Sequence, residues 1–289
     1  MVNRAAIFVT STQDDLPAKT EAVTTTPLLG FFDGAIGKLY GCLHLPTAAT
    51  AQPGCIVLSN AIGQEGIRLQ RSLRKLARTL CKAGHYVFQF DYYGCGDSEG
   101  KCEEGRLGVW LEDVRAACKE AMLRARIEAV ALIGVRLGGT LAMQISCELP
   151  SIRCVVAWDP IIDGRSYVRA MKREHARTFR MGLINPGWSF PFQRMQEASG
   201  FALSRGLIND LMQLRDLPLP KLQSDRVLLI TTDEGTTCRR LVQAAACGCD
   251  WTILRCPPCA VWCKREQQPL VAANAIREIS LWINRALDV

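Results

Sequence analysis

The stretch with the most chemically suggestive spacing is GVRLG at 134–138. An apolar run over 129–132 precedes it and a helix-forming segment over 137–149 follows, which is the strand–turn–helix setting of a nucleophile elbow. Such an elbow is usually spelled G-x-S-x-G and presents a serine hydroxyl to an acyl carbon. Arg136 stands at the serine position here, and arginine stays protonated and carries no nucleophile. The spacing therefore predicts the turn without its usual covalent chemistry.

Basic side chains cluster in two further segments. The first segment carries them every three or four residues, on one face of a predicted helix, at Arg68, Arg71, Lys75, Arg78 and Lys82. The second, GRSYVRAMKREHARTFRM at 164–181, has six basic residues, Arg165 and Arg169 among them, against the single acid Glu174. Solvated helix faces explain both runs, and faces that bind an anionic ligand or partner are the alternative.

The composition limits the classes of protein to which the chain can belong. Its 289 residues, 48% of them hydrophobic, favour one large α/β domain over two small ones. Lys and Arg total 35 against 28 Asp and Glu, and no nucleic-acid-binding module is recognisable. The first residues lack the apolar core of a signal peptide, and no apolar run is long enough for a membrane span. We therefore expect a cytoplasmic protein that neither spans a membrane nor binds nucleic acid.

The 14 cysteines are expected to be reduced thiols in such a compartment. Five of them crowd into one late segment: Cys247, Cys249, Cys256, Cys259 and Cys263. The C-x-x-C spacing within this group suits zinc or redox chemistry, but pairs that flank a strand are unusual for a zinc ribbon. We expect small apolar fillers, with no bound metal or cofactor; a structural metal or a thiol nucleophile are the alternatives.

The elements that must position these residues alternate between short apolar strands and helices. A hairpin turns at Asp33-Gly34, and later strands are predicted near residues 55, 86, 129, 155, 226 and 251. Helices are predicted over 66–83, 106–126, 137–149, 236–246 and 269–287. This α/β alternation predicts a mostly parallel sheet covered by helices on both faces. Ligands of such sheets bind beyond the carboxyl ends of the strands.

The order of motifs resembles the α/β-hydrolase fold over nearly all of 28–288. Four stretches are similar to one subgroup, the serine aminopeptidase-like hydrolases of exosortase systems and secondary-metabolite clusters: GQE at 63–65, FDYYGCGDSEG at 90–100, GVRLGGTLA at 134–142 and WDPIIDGRSY at 158–167. An arginine in the elbow is typical of that subgroup. The resemblance implies a single hydrolase domain over 28–289, after an N-terminal extension over 1–27. A helical lid would be inserted at about 164–222.

The resemblance also implies where the rest of a Ser-His-Asp triad would lie. The acid position after the strand at 226–231 holds Asp233, and Asp159 follows the strand before the insertion. The histidine position falls within 255–265, RCPPCAVWCKR, which has no histidine. A standard triad is therefore not expected.

Other side chains offer weak substitutes for the missing groups. His44 is expected on a strand, and His85 in a surface turn at the wrong end of its strand. His175, in the insertion, either swings over the site or lies on a solvated helix face. Ser98 follows Gly96-Asp97 and is expected to stabilise a turn.

The resemblance implies that this sequence keeps the anion-binding positions of the fold. The N–H of Leu137, which opens a helix, and an N–H of Ala61 or Ile62 hold the oxyanion-hole positions of the fold. Arg136 would add a planar donor suited to carboxylate or phosphate. The alternative is an internal ion pair of Arg136. Its candidate partners are Glu65, Asp159, Asp163 and Asp233, and the three aspartates are expected to be the nearest.

Two functions follow from these features. The first is a hydrolase-like activity on an anionic acyl, ester or thioester substrate, which Arg136 and the Leu137 amide orient while Asp233 or Asp159 activates water. The second is a non-catalytic binding or accessory protein of a biosynthetic or export pathway. In both, the partner is a small acyl or carboxylate ligand, free or held by a carrier protein, and the basic insertion favours its negative charge.

Overall fold

The structure, a computed structural model, describes residues 6–9, 26–47, 53–181, 197–215, 224–231, 249–256 and 271–287. The predicted helix over 236–246 and the acid position Asp233 fall outside the described residues.

Nine strands of the described residues form one sheet, and two short strands form a separate hairpin. The strands of the sheet are β1 (Ala6–Val9), β2 (Leu28–Asp33), β3 (Lys38–His44), β4 (Cys55–Ser59), β5 (Tyr86–Phe90), β6 (Val130–Val135), β7 (Ile152–Trp158), β10 (Arg226–Thr231) and β11 (Asp250–Arg255). The separate hairpin is β8 (Glu197–Ala198) and β9 (Phe201–Ala202). The spatial order is β1-β11-β10-β7-β6-β4-β5-β3-β2. All neighbouring strands are parallel except in the pairs β2–β3, the predicted hairpin, and β3–β5, so β3 runs antiparallel to both of its neighbours.

Six described α-helices accompany the strands: α1 (Gly63–Lys82), α2 (Leu107–Ala125), α3 (Leu137–Ile145), α4 (Gly164–Met181), α5 (Arg205–Gln213) and α6 (Ala273–Leu287). A short 3-10 helix spans Cys102–Glu104. No helix within the described ranges is both long and apolar enough to cross a membrane. The alternation of strand and helix confirms the predicted α/β class.

The sheet is buried on both faces, as its apolar strands require. Every residue of β4 and β6 is buried. One face packs against α1 and α6, with Leu69 and Leu76 of α1 in the same cluster as Ile279 of α6. The other face packs against α2 and α3. The elbow between β6 and α3 therefore lies at the centre of the sheet, held from both sides.

The insertion between β7 and β10 includes α4, the β8–β9 hairpin and α5. Asp210 of α5 accepts two hydrogen bonds from the guanidinium of Arg106, at 2.7 and 2.9 Å, which ties the insertion to the start of α2. His175 of α4 accepts the Ser199 N–H through Nδ1 at 3.0 Å and so holds the hairpin against α4. These contacts hold the described part of the insertion against the domain, and its action as a lid stays a prediction.

The segment 1–27 contributes one described element. Strand β1 pairs in parallel with β11 and extends the sheet at the edge opposite β2. The division of the chain into an extension and a domain at residue 27 stays a prediction.

The expectation for His85 was wrong, because the residue is buried with 2% of its surface exposed. Its Nδ1 accepts the Gly54 N–H at 3.0 Å. Nε2 therefore carries the proton and donates to Oδ1 of Asn284 in α6, also at 3.0 Å. The local sequence indicates a turn between α1 and β5, but α6 covers that turn and comes from the far end of the chain. His44 lies on β3, as predicted, and its Nε2 is 2.8 Å from Gln89 Oε1.

Candidate functional site

The backbone at Arg136 has the strained geometry of a nucleophile elbow. Its φ of 55° and ψ of −121° are unusual for a residue with a Cβ, and such strain costs of the order of 1–3 kcal/mol. Gly134 and Gly138 make the turn possible. A Cβ on Gly134 would clash with the Gly138 carbonyl, and one on Gly138 would clash with the Ser59 carbonyl of β4. The predicted turn is therefore present, with an arginine at its apex.

The guanidinium of Arg136 makes an internal ion pair with Glu65. Nε donates to Glu65 Oε1 at 3.2 Å, and Nη1 donates to the backbone carbonyl of Asp159 at 3.1 Å. The Tyr167 hydroxyl donates to the second carboxylate oxygen of Glu65 at 2.9 Å, and the guanidinium carbon lies 5.7 Å from the centre of the Tyr167 ring. The ion-pair alternative is thus realised with Glu65 in a three-residue cluster.

The expectation that an aspartate would be the nearest partner of Arg136 was wrong for Asp159 and Asp163, the two candidate aspartates that the structure describes. Asp159 faces Arg136 through its carbonyl, at a φ of 48°. Asp163 instead caps the first turn of α4, accepting the N–H and hydroxyl of Ser166. Helix α1 begins at Gly63, three residues before its predicted start, and this places Glu65 in the first turn, opposite the elbow.

The electrostatics of the cluster keep Arg136 charged. Burial is the largest single effect and lowers its pKa, but Glu65, Tyr167 and Asp159 together outweigh burial and the net shift is upward. Burial and the neighbouring carboxylate raise the pKa of Tyr167 well above its usual value, so its hydroxyl keeps its proton and donates. The cluster is a fixed cation, anion and neutral donor rather than an acid–base relay.

The oxyanion-hole positions differ in their availability. The Ala61 N–H donates to the side chain of Asn60 at 2.7 Å, so an internal acceptor already occupies it. Ile62 lines the cavity just before α1 begins, and Leu137 opens α3, where N–H groups lack partners within the helix. The role of the Leu137 and Ile62 N–H groups as donors to an anion stays a prediction.

A cavity of about 860 Å³ opens beyond the carboxyl ends of β4 and β5, where the alternation predicted a ligand site. Its walls come from the loops after β4, β5 and β6, from α1 and α4, and from the β8–β9 hairpin. Apolar side chains dominate the deeper wall: Ile62, Phe90, Tyr92, Trp110, Leu203 and Leu207. Ligand cavities of drug-sized compounds span roughly 300–1,000 Å³ and are similarly apolar.

A buried hydroxyl network supports the cavity floor. The Tyr92 hydroxyl lies 2.7 Å from Ser59 Oγ and 3.0 Å from the Asn60 carbonyl, and Ser59 Oγ lies 3.2 Å from the Gly138 carbonyl. The network links the loop after β4 to the elbow. Burial raises the pKa of Tyr92 above its usual range, so the hydroxyl stays neutral.

The charged groups around the cavity are unevenly paired. Arg68 of α1 pairs with Glu174 of α4 at 3.5 Å, beside the Arg136–Glu65 pair. Arg173 and Arg177 also line the cavity and are exposed, so they lie where it meets solvent. The lining therefore carries more positive than negative charge at its outer end.

The predicted insertion residues lie outside the cavity wall. Arg169 and Arg165 are exposed on α4, one and two turns, respectively, before the lining residue Arg173. His175 is half-buried behind the wall and accepts the Ser199 N–H. The sequence thus indicated the correct helix for positive charge over the site, but not which turns of it face the cavity.

Within the described residues that line the cavity there is neither a serine at the elbow nor a histidine. Two thiols are present, but burial raises the pKa of Cys95 to about 12 and also raises that of Cys102, so neither is a ready thiolate. Ser98 accepts the Tyr40 N–H and donates to the Asp91 carbonyl at 2.6 Å, which is the turn role predicted for it.

The late cysteine group is only partly described. Cys249 and Cys256 are buried, and Cys247, Cys259 and Cys263 lie outside the described residues. Across the described ranges no three potential metal ligands come together. Their expected role as apolar fillers stays a prediction.

Known proteins share parts of this sequence and most of this fold. Residues 67–201, somewhat less than half of the chain, match the family model described as serine aminopeptidase, S33. The chain is 37% identical to palmitoyl-protein thioesterase ABHD10, mitochondrial, of Homo sapiens over 71 residues, which are 24% of this chain and 22% of that protein. The match thus spans about a fifth of the relative's length.

Solved structures extend the similarity to the whole fold. Est1E from Butyrivibrio proteoclasticus, with ferulic acid bound, superposes with a TM-score of 0.64 at 18% identity, covering 90% of this chain and all of that one. A serine hydrolase of α/β type from Xanthomonas campestris that lacks a lid superposes with a TM-score of 0.58 at 14% identity, covering 93% and 99%. At these identities the likeness concerns the fold alone.

Proposed function

We propose that this chain, an α/β-hydrolase by its fold and by its match to the serine aminopeptidase model, binds an anionic acyl compound without forming a covalent acyl-enzyme. The observation that carries the proposal is the elbow itself. The position where the fold presents its nucleophile holds Arg136, whose guanidinium is fixed by Glu65 and the Asp159 carbonyl. An arginine fixed in this way binds and orients a ligand but cannot attack it.

The acyl part of the proposal rests on the cavity and on the relatives. Phe90, Trp110 and Leu207 form a deep apolar wall with no charged group of their own, which suits a hydrocarbon or aromatic acyl chain. The partly matching relative is named a palmitoyl-protein thioesterase, and the structural neighbour Est1E holds ferulic acid. Palmitoyl is an acyl group and ferulic acid is the free acid of one, and we extend the class of acyl compounds to this chain.

The anionic part rests on charge. The Arg136–Glu65 pair is internally balanced, so the excess positive charge comes from Arg173 and Arg177 at the solvent end, and from the N-terminus of α3. A ligand with an apolar chain and a carboxylate satisfies both regions of the cavity, as does an ester or thioester whose other half carries a negative charge. Its affinity is expected to fall as salt rises, because exposed charges are screened.

A second candidate is hydrolysis by activated water, with no covalent intermediate. It is favoured by the hydrolase relatives and by carboxylates in the cavity wall. Asp91 lines the cavity, and burial raises its pKa toward the range useful for a general base. Asp159, predicted as a base, does not line the cavity, and Asp233 is outside the described residues.

We further propose the setting suggested by the sequence. Between the described cysteines there is no disulfide, which suits the cytoplasm. The arginine-bearing elbow suits a binding or accessory role in a biosynthetic or export pathway of the exosortase or secondary-metabolite type.

The test combines a covalent probe with a binding titration. A fluorophosphonate should not label the protein, and stoichiometric labelling at any serine would contradict the non-covalent mechanism. In parallel, octanoate, S-octanoyl-N-acetylcysteamine and uncharged octanol are titrated by calorimetry against the wild type and Met171→Trp, which fills the cavity from α4.

Octanoate should bind the wild type more tightly than uncharged octanol does. Octanoate and the thioester should lose at least about tenfold in affinity in the filled variant, because burial of the chain is blocked. Leu281→Trp, on the exposed face of α6, is the matched control and should bind as the wild type does. Equal affinities in Met171→Trp and Leu281→Trp would place the ligand elsewhere and overturn the proposal.

A further inference from the structure

Helix α4 carries a row of arginines on its outer surface. Arg165, Arg169, Arg173 and Arg177 follow one another at intervals of four residues, and all four are exposed. Because a helix turns once in about 3.6 residues, this spacing places them on a single, slowly turning stripe. The last two also line the cavity, so the stripe leads to its mouth.

Helix α1 carries a second such row. Arg71, Arg74, Arg78 and Lys82 are exposed along it. The two helices meet at the Arg68–Glu174 ion pair, whose atoms are 3.5 Å apart at the cavity wall. The two rows therefore lie on neighbouring helices that share one border of the cavity.

Both helices turn their acids inward. Helix α1 has one acidic residue, Glu65, and α4 has one, Glu174. Glu65 pairs with Arg136, and Glu174 pairs with Arg68. The outer faces of α1 and α4 thus present positive charge with no acid of their own to offset it, which differs from the mixed surface usual for soluble proteins.

We propose that these two rows form a docking surface for an acidic carrier protein that delivers its acyl group into the cavity as a thioester on a phosphopantetheine arm. The inference rests on the proposed function, since it assumes an acyl ligand. It adds the partner and the route of entry. The arm's phosphate passes the mouth beside Arg173 and Arg177, and the acyl chain reaches the apolar wall beyond them.

Charge complementarity favours an acidic protein over the other polyanions. Nucleic acid matches the arginines but has no apolar chain to fill a cavity lined by Trp110 and Leu207. An anionic membrane requires an apolar helix face that inserts between lipids. The apolar residues Tyr167 and Val168 of α4 are instead buried in the core. Among the described side chains of α1 and α4, Ile67 is the one large apolar residue that is exposed, which is too little apolar surface to insert.

The experiment measures binding of an octanoyl-loaded acidic acyl carrier protein by fluorescence anisotropy, at low and at high salt. The test variant is Arg165→Glu with Arg169→Glu, because these residues belong to the stripe but do not line the cavity. The matched control is Lys119→Glu with Arg153→Glu, two exposed positions away from both rows that receive the same change in charge. S-octanoyl-N-acetylcysteamine is titrated against all three proteins.

The wild type and the control should bind the carrier, more weakly at high salt, and the test variant should lose about 10- to 30-fold in affinity from lost attractions and new repulsions. The small thioester should bind all three proteins equally. Equal carrier affinity in the test and control variants would overturn the docking surface. It would also be overturned if duplex DNA or phosphatidylglycerol vesicles bound the wild type more tightly than the carrier does and lost that binding in the charge-reversed test variant. Failure of the small thioester alone, with the carrier still bound, would instead count against the proposed function and leave the docking surface standing.

Discussion

Replacing Arg136 by methionine removes the cation beside Glu65 and leaves that carboxylate with the Tyr167 hydroxyl as its described hydrogen-bond donor, at 2.9 Å. The side chains of Arg136 and Glu65 are only 17% and 20% exposed, so water compensates poorly. Breaking a buried ion pair by removing one partner costs about 3–5 kcal/mol. The remaining exposure and the Tyr167 hydrogen bond reduce this, and we expect a loss of about 2–3 kcal/mol in the free energy of unfolding.

The pairwise part of that loss is measured by a double-mutant cycle. Urea unfolding is followed for the wild type, Arg136→Met, Glu65→Gln and the double variant. Because the two side chains form one charge-assisted hydrogen bond at 3.2 Å, the coupling energy should be about 1.5–3 kcal/mol.

A second cycle on Arg68 and Glu174 is the control. That pair is longer, at 3.5 Å, and Glu174 is 29% exposed, so its coupling should stay below about 1 kcal/mol. If Arg136 and Glu65 prove additive within about 0.3 kcal/mol, the cluster does not hold the elbow and the reasoning about a fixed guanidinium is refuted.

Three further predictions concern the elbow and one buried acid. Arg136→Ser should not create an esterase, because no histidine lines the described cavity to take the serine proton; turnover of a p-nitrophenyl ester above that of Arg136→Ala would contradict this. Arg136→Gly should be about 1 kcal/mol more stable to urea than Arg136→Ala, because both lose the ion pair but only glycine accepts a φ of 55° without strain. Asp113, fully buried in α2, accepts the Tyr93 N–H at 2.9 Å, and burial raises its pKa from 3.8 to about 6. Since the folded state holds this proton more tightly than the unfolded state, stability should fall by up to about 3 kcal/mol as the pH rises from about 4 to above 6, and Asp113→Asn should flatten that fall in urea midpoints.

The features that the sequence predicted are those that local spacing determines. The elbow depends on Gly134 and Gly138, whose neighbours leave no room for a Cβ, so the G-x-x-x-G spacing alone indicates the turn. Strands such as β4 and β6 are continuous apolar runs because both their faces are buried. Short periodic segments of this kind carry their own signal.

The features that it did not predict depend on contacts between distant segments. Glu65 lies 71 residues from Arg136, and Tyr167 lies 102 residues from Glu65, so no local pattern links the three. A difference of three residues in the start of α1 was enough to favour the aspartates over Glu65 as the nearest partner of Arg136. His85 was misplaced for the same reason, since α6 covers it.

Helix α6 packs over part of α1 and over the turn that follows it, and this packing has a consequence for the synthesis of the protein. Asn284 contacts His85 across 199 residues, and the Ala272 N–H contacts Ser72 across 200. Until α6 has left the ribosome, the part of the α1 surface that α6 covers remains exposed to water. Contacts of such high sequence separation slow folding and prolong the exposure of apolar surface. The nascent chain is therefore expected to depend on chaperones until α6 has been synthesised.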